Sequence, residues 1–205
     1  MKGSPTADRL LSVARRLFAE QGYHGTSIRQ IVTRAEANLG AVTYHFGSKE
    51  RLYHAVLAQA IAPLVDRIAR AAQGPGSALD RLEGVARAYF AHLDENRDLP
   101  ALMSREMVRH GPLPPPLRDA IRRITDLVVD MIAAGQAEGI LVPGNPMHLM
   151  LSLLSQPIYF ALVRPALAKL TNDQTETAEW RKALVDHALR FARRGLALPA
   201  TTGRP

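Results

Sequence analysis

Apolar residues recur along this chain at intervals of three and four, and no stretch sustains the period-two alternation of a half-buried strand. The pattern predicts an all-α fold of about nine helices. The first is expected over about Thr6 to Gln21, with Leu10, Ala14, Leu17 and Phe18 on one face and Gly22 to Gly25 ending it. Thr26 or Ser27 then caps a short helix to about Arg34 that turns Ile28, Ile31 and Val32 inward. After a turn through Glu36 and Ala37, Asn38 caps a third short helix ending near Phe46, and Gly47 stops it. Ser48 opens a longer fourth helix through Leu52, Tyr53, Val56, Leu57 and Ile61 that fades by Gln73.

The break Gly74-Pro-Gly-Ser77 leads into a fifth helix to about Asn96, and Asp98 with Pro100 opens a sixth that Gly111 ends. Pro112-Leu-Pro-Pro-Pro116 reads as a stiff extended loop, because each proline disfavours helix in its predecessor. A seventh helix is expected over about Leu117 to Glu138, with Ile121, Ile124, Leu127, Val128, Met131 and Ile132 as its stripe. Asn145 and Pro146 open an eighth, kinked or interrupted by Pro157, and the last runs from about Thr177 to Arg194. The implied division is 1–50, 51–197 and a disordered tail 198–205. Met147 to Leu170 is the most apolar stretch, but Ser152, Ser155, Gln156, Pro157, Arg164 and Pro165 interrupt it, which argues against a membrane partner.

Charge sharpens this picture. The first 60 residues carry eight basic against four acidic side chains, whereas the remaining 145 carry eighteen against fifteen, so the net charge of +7 is concentrated at the N-terminus. Such a distribution favours a polyanionic partner such as double-stranded DNA. The absence of cysteine excludes a disulfide framework and a thiolate zinc site, and fits a reducing compartment. With no apolar run at the N-terminus, the expected location is the cytoplasm.

Two short helices joined by a tight turn between Thr26 and Phe46, braced by the first helix and followed at once by a capped fourth, make a helix-turn-helix. At these residues the chain resembles the tetracycline-repressor (TetR) family. The resemblance covers about Ala7 to Leu57 and is most specific at Phe18 to Gly22 with Tyr23 and Thr26, and in Val42-Thr-Tyr-His-Phe-Gly-Ser-Lys-Glu-Arg-Leu52. It implies a homodimer with an N-terminal three-helix DNA-binding domain and a C-terminal helical domain that dimerises and binds an effector.

Carried over by position, the resemblance places Thr26 and Ser27 against a phosphate, with Arg29 reaching phosphate or a base edge. It places Asn38, Leu39, Gly40, Ala41 and Thr43 on the base-facing surface, Tyr44 and His45 near the backbone, and Lys49 on a phosphate. Arg15, Arg16 and Arg34 read as solvated. Three departures stand out. Glu36 replaces a frequent turn glycine, which costs on the order of 1 kcal/mol if that position is left-handed. Ala37 is smaller than the usual branched residue, and Thr43 replaces a frequent tyrosine.

The C-terminal half is less explicit. Leu102 to Pro112 is similar to a subgroup with an Arg-Glu pair in the sixth helix, here Arg105 and Glu106. Glu106 and His110 share a face at i, i+4, which leaves a polar pocket corner, a metal site or surface charge as readings; two ligands without a third do not make a metal site. Tyr89, Phe90, Met103, Met107, Met131, Gln156, Tyr159 and Phe160, with Glu106 and His110, are the candidate lining for a largely apolar effector. Leu149, Leu153, Tyr159, Trp180, Leu184 and Leu189 on the last two helices are assigned to the homodimer interface. No nucleophile elbow, phosphate loop, complete dinucleotide fingerprint or His-Glu-x-x-His occurs, so neither catalysis nor a cofactor is expected. The function implied is a transcriptional regulator, by family habit a repressor released from a palindromic operator by a small molecule. Its rivals are an architectural DNA binder without effector and a helical small-molecule-binding protein.

Overall fold

The computed structural model describes residues 4–199, in which nine α-helices and one 3-10 turn account for nearly all the regular structure. The helices are α1 (Pro5–Gly25), α2 (Ile28–Arg34), α3 (Ala41–Phe46), α4 (Lys49–Ala72), α5 (Ala78–Glu95), α6 (Leu99–Val108), α7 (Pro115–Ala137), α8 (Pro146–Leu170) and α9 (Ala178–Leu196), with the 3-10 turn at Gln174–Glu176. They cluster into two compact units. One joins the described residues up to Pro63 with Asn96–Ala120; the other joins Leu64–Glu95 with the described residues from Ile121 onward. The sixth helix, assigned by sequence to 51–197, thus packs with the first few helices.

In the first unit, α2 and α3 have 7 and 6 residues, too few to persist alone. Burial holds them: Ile31 and Val42 are fully buried and Val32 nearly so, beside Leu10, Leu17 and Phe18 of α1, at about 1.5–3 kcal/mol for each large side chain. Helix α1 runs past its expected end, but it is broken at Gly22, whose φ of 74° lies in the left-handed region. A Cβ there would stand 2.8 Å from Arg105 Nη1, a flexible side-chain end that can give way, so it is the left-handed turn that calls for glycine.

Several boundaries differ from the sequence reading for identifiable reasons. Helix α3 begins at Ala41, because Asn38 turns through a carbonyl bond to Ala41 N (3.1 Å) instead of capping. Asp98 makes no side-chain cap on α6, since its carboxylate takes Arg15 Nε at 2.5 Å and Nη2 at 2.6 Å; Arg15 is therefore paired, not solvated. Pro115 and Pro116 form the first turn of α7 in place of an extended loop, as a missing N–H costs nothing there. Helix α8 continues through Pro157 and Pro165 without interruption. Leu198, placed by sequence in the tail, donates its N–H to Ile140 O at 2.9 Å, and Leu141 and Ala197 form an isolated antiparallel bridge. Residues 200–205 of that tail lie outside the described residues.

In the second unit, a reciprocal cap starts α5: Ser77 Oγ accepts from Asp80 N and Asp80 Oδ2 accepts from Ser77 N. Arg193 of α9 binds Asp80 and Glu83 at 3.0 and 3.2 Å. The Ser77 hydroxyl and then Arg193 hold the Asp80 carboxyl at about 2, below its ordinary 3.8. A depressed carboxyl stabilises the fold above its unfolded value and ceases to as pH falls through its folded one. Asp80→Asn is therefore expected to lower the thermal midpoint at neutral pH and to match wild type near pH 2. Midpoints measured between pH 2 and pH 7 check this, and a parallel offset at all pH values would contradict it.

Candidate nucleic-acid interface and ligand cavity

The turn between α2 and α3 is tight enough to force Glu36 to φ 50°, the left-handed conformation in which a non-glycine is strained. It leaves α3 with two opposed faces. Val42 is fully buried, while Asn38, Leu39, Gly40, Thr43 and Tyr44 are exposed, Leu39 by 66% and Tyr44 by 84%. Large side chains standing free on the turn and on the outer face of a six-residue helix do nothing for folding. His45 is half-buried, its ring 4.9 Å edge-on to Tyr44. Ser27 and Arg29 are exposed on α2, with Ser27 in a capping box with Gln30.

Two residues assigned to this surface face elsewhere. Thr26 is buried, and its hydroxyl donates to Gly22 O (2.8 Å) and Leu17 O (3.2 Å), fastening the end of α1 to the start of α2. Ala41 is 7% exposed, because its methyl sits on the packed side of α3 beside Val42. Lys49 is held in place: its ammonium lies 4.3 Å from the centre of the Tyr23 ring, and burial lowers its pKa.

Below this surface, α6 is fastened to α1 and α4 by polar contacts. Arg105 Nη2 donates to Glu20 O (2.9 Å), and the buried Glu106 accepts from Tyr53 Oη (2.8 Å) and Arg109 Nε (3.1 Å). Burial and the Glu106 hydrogen bond push the Tyr53 phenol well up, so it stays a donor. Arg105 and Glu106 thus fasten α6 to its neighbours, Arg105 from the surface and Glu106 from within.

The second unit contains a cavity of about 370 Å³ among α5, α8 and α9. Its wall is mostly apolar, from Phe90, Pro157, Phe160, Leu167, Trp180, Leu184 and Val185. The Phe90 and Phe160 rings stack at 6.4 Å. Its polar end is a network: Arg164 Nη1 to Asp94 (2.6 Å), Arg164 Nε to Glu176 (3.2 Å), and Arg181 Nε to Asp94 (3.4 Å), with Arg181 also donating to Glu176 O.

Comparison with known proteins matches the description "Bacterial regulatory proteins, tetR family" over residues 10–56 and "Tetracyclin repressor-like, C-terminal domain" over residues 79–191, the latter more than half of the chain. The chain belongs to the TetR family. The HTH-type transcriptional repressor NicS of Pseudomonas putida is 27% identical, over 92% of this chain and 93% of its own length. The HTH-type transcriptional regulator RutR of Escherichia coli K12 is 30% identical, over 79% of this chain and 76% of its own. A crystal structure of a TetR-family bacterial regulatory protein from Rhodococcus RHA1 superposes with a TM-score of 0.78 at 22% identity, covering 97% of this chain and all of that one. These relatives are transcriptional regulators.

As a TetR regulator, the protein divides its expected ligand residues between places. Only Phe90 and Phe160 line the cavity. Tyr89 and Met131 are buried beside other residues, Gln156 is half-buried, and Tyr159 is 61% exposed. Met103, Glu106, Met107 and His110 lie in the other unit, Met103 and Glu106 buried, Met107 and His110 exposed. The interface assignment also changes: Leu153 and Leu189 are each 4% exposed, and Trp180 and Leu184 line the cavity, so of the six only Tyr159 presents a large free surface. Sequence reasoning missed Arg164 and Arg181, whose shared partner Asp94 lies 70 and 87 positions away, and Trp180, which it placed at the interface.

Proposed function

We propose that this TetR-family regulator acts in the cytoplasm as a homodimer that grips a near-palindromic operator and is released when a largely apolar small molecule enters the α5–α8–α9 cavity. The DNA surface is Ser27, Arg29, Asn38, Leu39, Gly40, Thr43, Tyr44, His45 and Lys49. The observation that carries the reading is the outward face of the turn and α3, where Leu39 of the turn and Tyr44 of α3 stand free while Val42 anchors the helix beneath them. Two such helices in successive major grooves lie about 34 to 36 Å apart, which sets the half-site spacing.

Lys49 supplies a measurable term. Each phosphate contact adds roughly 0.9 to the slope of log affinity against log salt, so Lys49→Ala is expected to lower the slope by about one per contact while leaving sequence preference intact. Selection of bound random DNA, followed by footprinting, reads the preference. Protection lacking two-fold symmetry would overturn the palindrome, and an unchanged slope would remove Lys49 from the surface.

The cavity favours the effector reading over an architectural DNA binder, because an apolar hollow of this size ending in a charged network suits a small molecule with an apolar body and a polar end. Trp180 is the only tryptophan of the chain and lines the cavity, so its fluorescence reports occupancy directly. Compounds that quench it are expected to release operator DNA. A compound that saturates the Trp180 signal without altering DNA affinity would separate the cavity from regulation.

A further inference from the structure

Lys49 does not reach from the surface freely. Its ammonium rests on the Tyr23 ring, and that ring is the outer member of a cluster: Tyr23 lies 5.1 Å from Tyr53 and 6.2 Å from Phe18, and Phe18 meets Tyr53 edge-on at 4.8 Å. Phe18 is fully buried and cannot move without disturbing the core of the unit, whereas Tyr23 is half-buried. At the inner end, Tyr53 donates to Glu106 of α6, itself held by Arg109. A cavity of about 120 Å³ lies against Tyr23, Tyr53 and Glu106, so the two tyrosine rings have room to shift if that hydrogen bond is lost.

We propose that Tyr23 is a positioning residue for the Lys49 phosphate contact, and that Glu106 acts through Tyr53 to hold Tyr23 in place. The seating of one carboxylate on α6 then sets how firmly a lysine at the DNA surface is presented. Three features argue for positioning over mere packing. The ring offers its electron-rich face to a cation, which orients the side chain instead of only covering it. The ammonium is partly withdrawn from water where it meets the ring, which lowers its pKa and favours one seat over free solvation. The Glu106–Tyr53 bond is buried, where breaking it leaves an unpaired acceptor or donor and favours movement of the ring.

This inference rests on the reading that Lys49 meets a phosphate, and the test separates the two. Operator binding by the full chain is measured from low to high potassium chloride for Lys49→Ala, Tyr23→Leu, Tyr23→Phe and the Tyr23→Leu/Lys49→Ala double variant. Lys49→Ala lowers the salt slope if the phosphate reading holds; an unchanged slope sinks that reading and the positioning role with it. Given a lowered slope, Tyr23→Leu is expected to weaken binding about threefold per protomer and about tenfold in a dimer, from the size of a cation–π contact. Tyr23→Phe is expected to bind like wild type, and Tyr23→Leu to add no loss when Lys49 is already alanine. Additive losses in the double variant, or a Tyr23→Phe as weak as Tyr23→Leu, would overturn the positioning role while the phosphate contact stood.

A second measurement does not depend on the leucine variant folding. The chain has four lysines, Lys2, Lys49, Lys169 and Lys182, so the ε-methylene signals of labelled lysine are readily assigned. The Lys49 signal is expected upfield from the Tyr23 ring current in wild type and in Tyr23→Phe, and nearer the other lysines in Glu106→Ala. A Lys49 signal unmoved by Glu106→Ala would remove α6 from the proposal, and one without an upfield displacement in wild type would remove Tyr23.

Discussion

Replacing Leu151 and Tyr159 together by glutamate is expected to leave a folded monomer whose affinity for the palindromic operator is lower by about 10² to 10⁴-fold, the range over which linking two sites exceeds one. Met147, Leu151, Tyr159 and Leu162 are 39 to 61% exposed and recur along α8 at intervals of three, four or eight residues, so they share one face. Helix α8 is long and apolar enough to cross a membrane by length and composition alone, with mean hydropathy 1.3, and only 22% of its apolar window is buried within the chain. For a TetR-family protein, a second copy is the occupant that accounts for such a face. Two carboxylates on that face must be desolvated on pairing, which costs far more than an apolar contact of this size returns. Sedimentation or light scattering reads the oligomer, and operator titration reads the affinity. Glutamate at Leu153 or Leu189 makes the contrasting control: both are buried within the chain, so those variants are expected to unfold instead of dissociating. A double variant that stays dimeric would move the interface off α8.

This contrast shows what the sequence could and could not convey. A helix-turn-helix is local: caps, a turn and a hydrophobic face fall within about thirty residues, and Ser27, Gly47, Ile31 and Val42 all stand where periodicity and capping place them. The left-handed Glu36 came within reach only through the resemblance, which sets a frequent glycine at that position and so raises the question that its φ of 50° answers. Thr26 was harder. As a hydroxyl at a helix start it has two destinations, a phosphate outside or a carbonyl inside, and the choice depends on where the broken end of α1 comes to lie. Long-range pairing was silent altogether: Arg15 with Asp98, Tyr53 with Glu106 and Arg164 with Asp94 span 83, 53 and 70 positions, and nothing near either partner marks it. Helix α8 explains why several residues assigned to the interface, though on the right helices, face inward or onto the cavity. It is apolar on several sides, with one flank inward, one on the cavity and one free, so apolarity alone could not tell Leu153 from Leu151.

Filling the cavity gives the second large effect. Ala161 lines it from α8, beside Phe160, and Ala161→Phe projects a benzyl group into the space while keeping Trp180 the only indole. Ligands of about 20 non-hydrogen atoms gain roughly 0.3 kcal/mol per atom, so losing half of that contact costs about 3 kcal/mol, or on the order of a hundredfold in affinity. Anilinonaphthalene sulfonate, a naphthalene with an N-linked phenyl ring and one anionic group, serves as the probe, read by energy transfer from Trp180. Its affinity is expected to fall about a hundredfold in Ala161→Phe, while operator affinity without ligand stays within a few-fold of wild type, because Ala161 belongs to the unit that lacks α2 and α3. Compounds that release DNA from wild type should then fail to release the variant at the same concentrations. Loss of DNA binding in the absence of any compound would mean that the added ring imitates the bound ligand, which would still place the regulatory site in this cavity. Unaltered probe binding together with unaltered release would place it elsewhere.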